Sequence, residues 1–498
     1  MPEMTPGWRS IGLAALLLGS LPWAVAGGNN SGPGSGPSGG MSSGSSGMSR
    51  PMSIPLPQAS TWPGSRPAPA SNSGPGSGGK DASKDSIKDA TRPDEVPKDG
   101  SSGRGRREET ERREGDDRTT GPGPRPGGES PDGHWQRTER LLRAQPLVYE
   151  RDPIGAPVLR SELTLLLPPD AELPPALARR GFIAVRESAV LGRRLVVLRT
   201  PADLTLDRAV ALGRQLAPEA EIDFNHVLLG SGRAEPAKLP AAKLPQPAPA
   251  GAAAPVHVGL IDEAVAAADL AAWAELRPTG RRCAAPARAE GHGVAVATVL
   301  ARSVRDAGRR PVLHAADLAC GQGAVDAVAS ALQAMDAERV PVVNLSAVGP
   351  YNRVMAAVVA AFLARGHLLV AAVGNDGPAA APLYPAAYPG VIAVTAVDRQ
   401  GRVLVEAGRG EHVAFAALGV VELPSPESGT RSWRGTSLAA PVVAAALALR
   451  LPAPDGAAAQ AAVAQLARSA ADAGEPGRDR VYGHGVVGLP APALAAAH

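Results

Sequence analysis

Apolar residues are distributed along this chain in three different ways. Ile11 to Trp23 is a short, nearly unbroken apolar run. Residues 27–144 then show no sustained apolar period. From Gln145 onward, apolar positions recur first in the two-residue and 3.6-residue periods of half-buried strands and helices. Further on they gather into strand-length runs separated by Ala-rich segments.

The first patterned region predicts strand, helix, strand, strand, helix, strand. Ser161 to Leu167 is the first strand, and Ala171 to Arg180 is a short helix closed by Gly181. Phe182 to Val190 and Arg193 to Arg199 form a pair of strands. Leu206 to Leu216 carries apolar residues at helical spacing behind Thr205 as N-cap, and Glu221 to Leu229 is the last strand. The order fits a ferredoxin-like split βαβ unit.

A Pro/Ala/Lys run between Gly230 and Gly251 reads as an extended linker open to proteolytic nicking. After it, Val256 to Ile261, Val312 to Ala316, Val340 to Leu345, Leu368 to Val373 and Val391 to Val397 are apolar throughout, as strands buried on both faces must be. Helical segments alternate with them, so this half predicts an α/β fold with a parallel sheet covered by helices on both faces. No period of 20 to 50 residues repeats, which excludes a repeat array.

Composition sharpens the front end. The chain has 498 residues with Gly 57 and Pro 50, and the aromatic residues are few, so the core must be built from Ala, Val and Leu. Arg9, the apolar run and the small residues Ala24-Val25-Ala26 read as a cleavable export signal. The run is too short, and Pro22 too disruptive, for a membrane span. Gly27 to Gly79 is Gly, Ser and Pro with almost no charge, and Lys80 to Arg137 is mixed charge; neither buries enough apolar area to fold. The organisation expected is a signal peptide at 1–26, a disordered region at 27–144, an α+β domain at 145–229, a linker at 230–253 and a larger domain at 254–498. With Lys+Arg 51 against Asp+Glu 48 there is no electrostatic case for nucleic acid, and no later segment reads as a membrane span. Two cysteines exclude a four-thiolate zinc site. They allow either one bridge, Cys283 to Cys320, or two buried thiols.

Four residues carry candidate chemistry. Asp262 ends the strand Val256-His-Val-Gly-Leu-Ile, at the end of a parallel sheet where functional groups gather. His292 opens an apolar helix with Gly on both sides, which permits close approach to the imidazole. Asn375, in Val373-Gly-Asn-Asp-Gly-Pro378, offers an amide donor to a developing oxyanion. Ser437, in Arg434-Gly-Thr-Ser-Leu-Ala-Ala-Pro441, opens a helix whose small residues let it sink into the core. Taken singly, each has an ordinary reading as a helix cap, a structural histidine, a turn former or an N-cap. Together they give the chain order Asp, His, Ser, one of three known orders for this catalytic arrangement.

On these motifs the region Val256 to Leu451 resembles the subtilisin-like serine peptidases, or subtilases. Val342-Val-Asn-Leu-Ser-Ala-Val-Gly-Pro350 looks like the family's substrate-binding edge strand, and Tyr384 to Val394 like the strand beyond the oxyanion residue. The resemblance implies a subtilisin-like fold in which Ser437 is nucleophile, His292 general base then acid, Asp262 the group that orients the imidazole, and Asn375 an oxyanion donor. It implies substrate contacts from Asn344, Leu345, Ser346, Ala347 and Gly374. It also implies that the small α+β domain is a propeptide acting as intramolecular inhibitor, with cleavage between Gly230 and Ala254. The partners implied are protein or peptide substrates; with the export signal, the location expected is extracellular, periplasmic or at the cell surface.

Three positions depart from the family pattern. Glu263-Ala264 stand where a small hydroxyl residue and Gly are usual, Val294 replaces the usual Thr, and Ser346-Ala347-Val348-Gly349 has its Gly late. The cleft segments Asn344 to Pro350 and Ala371 to Pro378 carry one acidic residue, Asp376, which favours a small or apolar residue before the scissile bond. No dense Asp/Asn loop is present, and HExxH, GxxxxGK[ST] and GxSxG are all missing, so no metal or cofactor is expected. A rival expectation is a scaffold or binding protein built on the same fold with an impaired cleft. Another is that the charged front end binds a surface polymer.

Overall fold

The computed structural model describes residues 133–235, 254–281, 291–425 and 429–489, all within one unit, Glu111–His498. The predicted signal peptide, most of the low-complexity region, much of the linker and Cys283 lie outside the described residues.

Helix α1 (His134–Ala144) comes first, followed by β1 (Tyr149–Arg151), β2 (Pro157–Leu167), α2 (Pro175–Arg179), β3 (Ile183–Val190), β4 (Arg193–Arg199), α3 (Leu206–Leu216) and β5 (Glu221–His226). The sheet runs β5-β2-β4-β3 with every pair antiparallel, and β1 pairs with the start of β2. This is the split βαβ order that the pattern predicts. Strand alternation divides β2 between two cores. Leu163, Leu165 and Leu167 face α2 and α3, together with Val196, Leu198 and Ile222. Leu166 and Leu195 face the other way, into the core of the larger sheet.

Two short strands follow, β6 (Leu229–Gly230) and β7 (Arg233–Glu235). The larger part then comprises β8 (Val256–Asp262), α4 (Ala267–Leu270), β9 (Glu275–Pro278), α5 (His292–Asp306), β10 (Pro311–Asp317), α6 (Val325–Ala337), β11 (Val342–Leu345), β12 (Ala347–Val348), α7 (Arg353–Leu363) and β13 (Leu368–Ala372). It continues with β14 (Ile392–Val397), β15 (Val413–Leu418), β16 (Val420–Ser425), β17 (Gly429–Arg434), α8 (Thr436–Ala448), α9 (Gly456–Ser469) and β18 (Val486–Val487). Eight strands form one sheet in the order β9-β10-β8-β11-β13-β14-β15-β18, parallel throughout. Val258 and Leu260 face a core shared with α5, α8 and α9, while Ile261 faces the core of α6 and α7. The chain leaves β8 toward β10 and later returns to its other side as β11. That reversal makes the carboxyl end of β8, at Asp262, a topological switch point, where open α/β sheets form their sites.

The small sheet docks on the α6 and α7 side through matched polar groups. Asp223 Oδ2 accepts from the Arg353 N–H at 2.7 Å, at the first turn of α7, where a helix favours negative charge. Asn225 and Arg186 both bond Glu162 and also Asp326, in the first turn of α6. At the same interface His226 Nε2 donates to Asp152 at 2.9 Å, and its Nδ1 accepts from Asn352 Nδ2 at 2.9 Å.

The elements differ from the sequence expectation in several places, and four bear on the cleft or on a stated expectation. Helix α1 forms inside the segment expected to be disordered. This helix is rich in charge, so its sequence alone gives little reason to fold; Leu141 and Leu142 are ordered by packing with Tyr149, Leu159 and Leu229. The expected linker begins with β6 and β7, which lie in the cleft described below. Strand β15 was not expected, because its alanines dilute the apolar signal, yet it lies inside the sheet. Thr205 is at the N-cap position of α3 but its side chain makes no capping bond there.

Candidate active site

Three elements bring the catalytic candidates together: the end of β8, the start of α5 and the start of α8. Asp262 Oδ1 accepts from His292 Nδ1 at 2.7 Å, and also from the Glu263 N–H at 2.8 Å. Ser437 Oγ lies 2.9 Å from His292 Nε2. With Nδ1–H committed to Asp262, Nε2 is left as acceptor of the Ser437 hydroxyl proton. All three residues are buried. Burial on its own would lower the proton affinity of His292, but the Asp262 charge and hydrogen bond, with Glu263 adding to them, raise its pKa above the ordinary histidine value despite Arg137 nearby.

Glycines explain how the backbones meet. A Cβ on Gly293 would lie 2.2 Å from the Glu263 carbonyl oxygen, so only glycine lets α5 approach the end of β8 this closely. Gly435 has φ +137° and leads α8 into the site.

The position of Ser437 depends on Pro441. A residue with an N–H at 441 would bond the Ser437 carbonyl inside the helix, but proline has no N–H. The Ser346 Oγ–H donates to that carbonyl instead, at 3.2 Å, and Asn344 Nδ2 donates to Ser346 Oγ at 2.9 Å. Asn344 and Leu345 are therefore buried in β11 and act from behind the site, while Ser346 and Ala347 face the cleft through their backbone. Gly374 is held by its own N–H, which donates to Thr436 Oγ1 at 3.2 Å.

Asn375 Oδ1 accepts from the Thr436 N–H at 3.0 Å, which turns its Nδ2 away from that bond. A Cβ on Gly435 would lie 2.9 Å from Asn375 Nδ2 and 3.1 Å from the Ser231 carbonyl oxygen, so the amide and that carbonyl flank the same point. The Ser437 N–H is in the first turn of α8, where helical N–H groups have no partner within the helix.

The cleft holds a segment of the chain itself. Leu229 and Gly230 pair antiparallel with Val348 and Ala347. The Ser231 N–H donates to the Ser346 carbonyl at 3.2 Å. Beyond Gly232 the chain pairs with β17 on the far side, Arg233 opposite Arg434. A Cβ on Gly232 would lie 2.2 Å from Ser437 Oγ and 2.7 Å from His292 Nε2. Helix α1 covers this segment: Arg137 Nη2 donates to the Gly232 carbonyl at 3.0 Å, and the His134 N–H donates to Asp376 Oδ1 at 2.5 Å. Arg137 and His134 had no signal in the sequence that would mark them, since their role depends on a contact between distant segments.

Cys320 is disulfide-bonded, and Cys283 lies outside the described residues. Among the described residues no group of three or more His, Cys, Asp or Glu is arranged to hold a metal ion, and no helix is long and apolar enough to cross a membrane.

Residues 260–485 match the Subtilase family, Peptidase S8. The chain is 30% identical over 218 residues to the minor extracellular protease Epr of Bacillus subtilis (strain 168), a match covering 42% of this chain and 34% of that protein. It is 34% identical over 168 residues to subtilisin BL of Lederbergia lenta, covering 32% of this chain and 62% of that protein. Thus the chain spans less than two thirds of the length of these relatives. In three dimensions it is similar to fervidolysin from Fervidobacterium pennivorans, a keratinolytic enzyme related to subtilisin, with a TM-score of 0.52 and 20% identity over 68% of this chain and 61% of that one. The second half of the chain thus carries a match to the Subtilase family and has a fold similar to that of a subtilisin-related enzyme.

Proposed function

We propose that this chain is an exported serine endopeptidase made as a zymogen, which hydrolyses peptide bonds through Asp262, His292 and Ser437, and that Ser231–Gly232 is the first bond it cuts. One observation carries the reading. The segment from Leu229 to Glu235 runs through the cleft as an added strand, paired with β12 before Ser437 and with β17 after it. Strand addition is how extended peptides are held by a sheet edge, with the backbone giving affinity and side-chain pockets giving specificity.

In this reading His292 Nε2 takes the Ser437 proton as Oγ attacks the Ser231 carbonyl carbon. The oxyanion that forms is met by Asn375 Nδ2 and the Ser437 N–H. Asp262 stabilises the imidazolium, which passes its proton to the Gly232 nitrogen as the C–N bond breaks. Water then hydrolyses the Ser231 ester on Ser437. The N-terminal α+β module would remain bound as an inhibitor through its contacts with α6 and α7, and α1 would keep the cleft covered. Protein or peptide substrates would follow the same path, with a small or apolar residue before the scissile bond, as Ser231 is here.

Export is supported by the signal-like first 26 residues. A fluorophosphonate probe applied to chain beginning at Gly27 tests the activity. Labelling of the matured wild type and none of Ser437→Ala is expected. A folded wild type that never labels would favour the scaffold reading.

A further inference from the structure

The residue after Asp262 departs from the family pattern, and the structure gives that departure a use. Glu263 Oε2 accepts from the His292 backbone N–H at 3.0 Å. His292 is the first residue of α5, and the N-cap residue Gly291 has no side chain to satisfy the free N–H groups there. The Glu263 carboxylate does that work, at a helix end that favours negative charge. The same glutamate's backbone is pressed against the first turn, because Gly293 has no Cβ to keep it away. His292 is thus tied to the end of β8 twice, by its ring to Asp262 and by its backbone to Glu263. The second oxygen of Asp262 is buried with no hydrogen-bond partner among the described residues, so Asp262 alone fixes the ring through a single oxygen.

We propose that Glu263 is a positioning residue for His292, holding the imidazole in register with Asp262 and Ser437 and stabilising the imidazolium formed when the ring takes the serine proton. The proposal rests on the serine peptidase reading given above. The charges acting on His292 come from two elements: Asp262 and Glu263 at the end of β8, and Arg137 on α1, which opposes them. Its ring also meets Ser437 on α8 and, edge to face, Trp433 on β17. Arg137 would leave with the N-terminal module, so in matured enzyme the two carboxylates act on the ring without that cation.

Glu263→Gln separates charge from geometry, because its amide oxygen can still accept from the His292 N–H, while Glu263→Ala removes both. The measurement is the pH dependence of kcat/KM on a peptide substrate, using enzyme matured from the full chain. A lost negative charge lowers the proton affinity of His292, so the acid limb of Glu263→Gln moves to lower pH by about half a unit, with kcat reduced and KM unchanged. Glu263→Ala loses more kcat than Glu263→Gln. An NMR titration of the His292 ring in uncleaved Ser437→Ala chain, with and without Glu263→Gln, gives the same shift without relying on turnover. If the limb, the ring titration and kcat are all unchanged in Glu263→Gln, the proposal is overturned, even if Glu263→Ala unfolds more easily. If wild type fails to turn over, the serine peptidase reading falls, and the ring titration still decides the role of Glu263.

Discussion

Ser346 Oγ donates to the Ser437 carbonyl oxygen, the acceptor that Pro441 leaves without its helical partner. The bond ties the strand edge that pairs with the cleft segment to the turn of helix that carries Ser437. It makes a proline near the start of α8 compatible with a buried, well-placed Ser437.

Ser346→Ala in an uncleaved Ser437→Ala background should therefore cost about 1–3 kcal/mol of stability in urea, the penalty of a buried carbonyl left unpaired. Pro441→Ala restores the N–H at 441, so in that background the Ser346→Ala cost should shrink. Equal costs with and without Pro441 would show that the two do not share the carbonyl, since a double-mutant cycle reads only their coupling.

Gly232 lies closer to Ser437 and His292 than any side chain at that position would allow. Gly232→Ala should push the segment off Ser437 and slow intramolecular cleavage by about 10²-fold, the scale of a 1 Å misplacement. The same variant cut by added wild-type enzyme should then hydrolyse peptides normally. Cleavage at the wild-type rate, followed by mass spectrometry, would argue against this bond as the first one cut.

Much of this arrangement is legible in the sequence, and what is not follows a physical rule. Asp262, His292 and Ser437 stand out because each sits at the end of a strongly apolar element, and because their order is restrictive. The split βαβ strands are equally clear, since β2 alternates between two cores. Helix α1 and strands β6 and β7 are invisible for the opposite reason. Arg137 is a charged residue in a charged stretch, and Ser231-Gly232 lies in what reads as a linker; both gain structure only from a cleft formed by residues more than 50 positions away. Ser346 was expected among the substrate contacts, but its support of the Ser437 carbonyl depends on a proline in another element.

The α1 contact should be sensitive to acid. Burial, with Arg137 and His226 nearby, pushes the His134 imidazole down to about 4, and its Nδ1 has no partner among the described residues. Because the folded value is below the free one, the contribution of His134 to docking is complete above about pH 6.5 and is lost as pH falls toward 4. Asp376 opposes this, since burial raises its pKa. The protection of α1 amides in Ser437→Ala chain, taken relative to intrinsic exchange at each pH, should therefore fall between pH 7 and pH 4.5, and His134→Leu should remove most of that change. An unchanged pH response in His134→Leu would assign the sensitivity elsewhere.

If Asn375 donates to the oxyanion as proposed, Asn375→Ala should lower kcat of matured enzyme by about 10²–10³-fold with little change in KM, the scale of losing one oxyanion donor. Because Asn375 also accepts from the Thr436 N–H, a thermal melt should accompany the kinetics. A rise in KM with kcat preserved would mean that the amide binds substrate rather than the oxyanion.

On the proposed function, this chain cuts itself at the Ser231–Gly232 bond beside Ser437. N-terminal sequencing and intact mass of purified chain beginning at Gly27, wild type beside Ser437→Ala, test it most directly. Self-cleavage would give a wild-type fragment that starts at Gly232 and leave the Ser437→Ala chain intact. Cleavage of both chains at the same place, or a wild-type fragment that starts elsewhere, would contradict it.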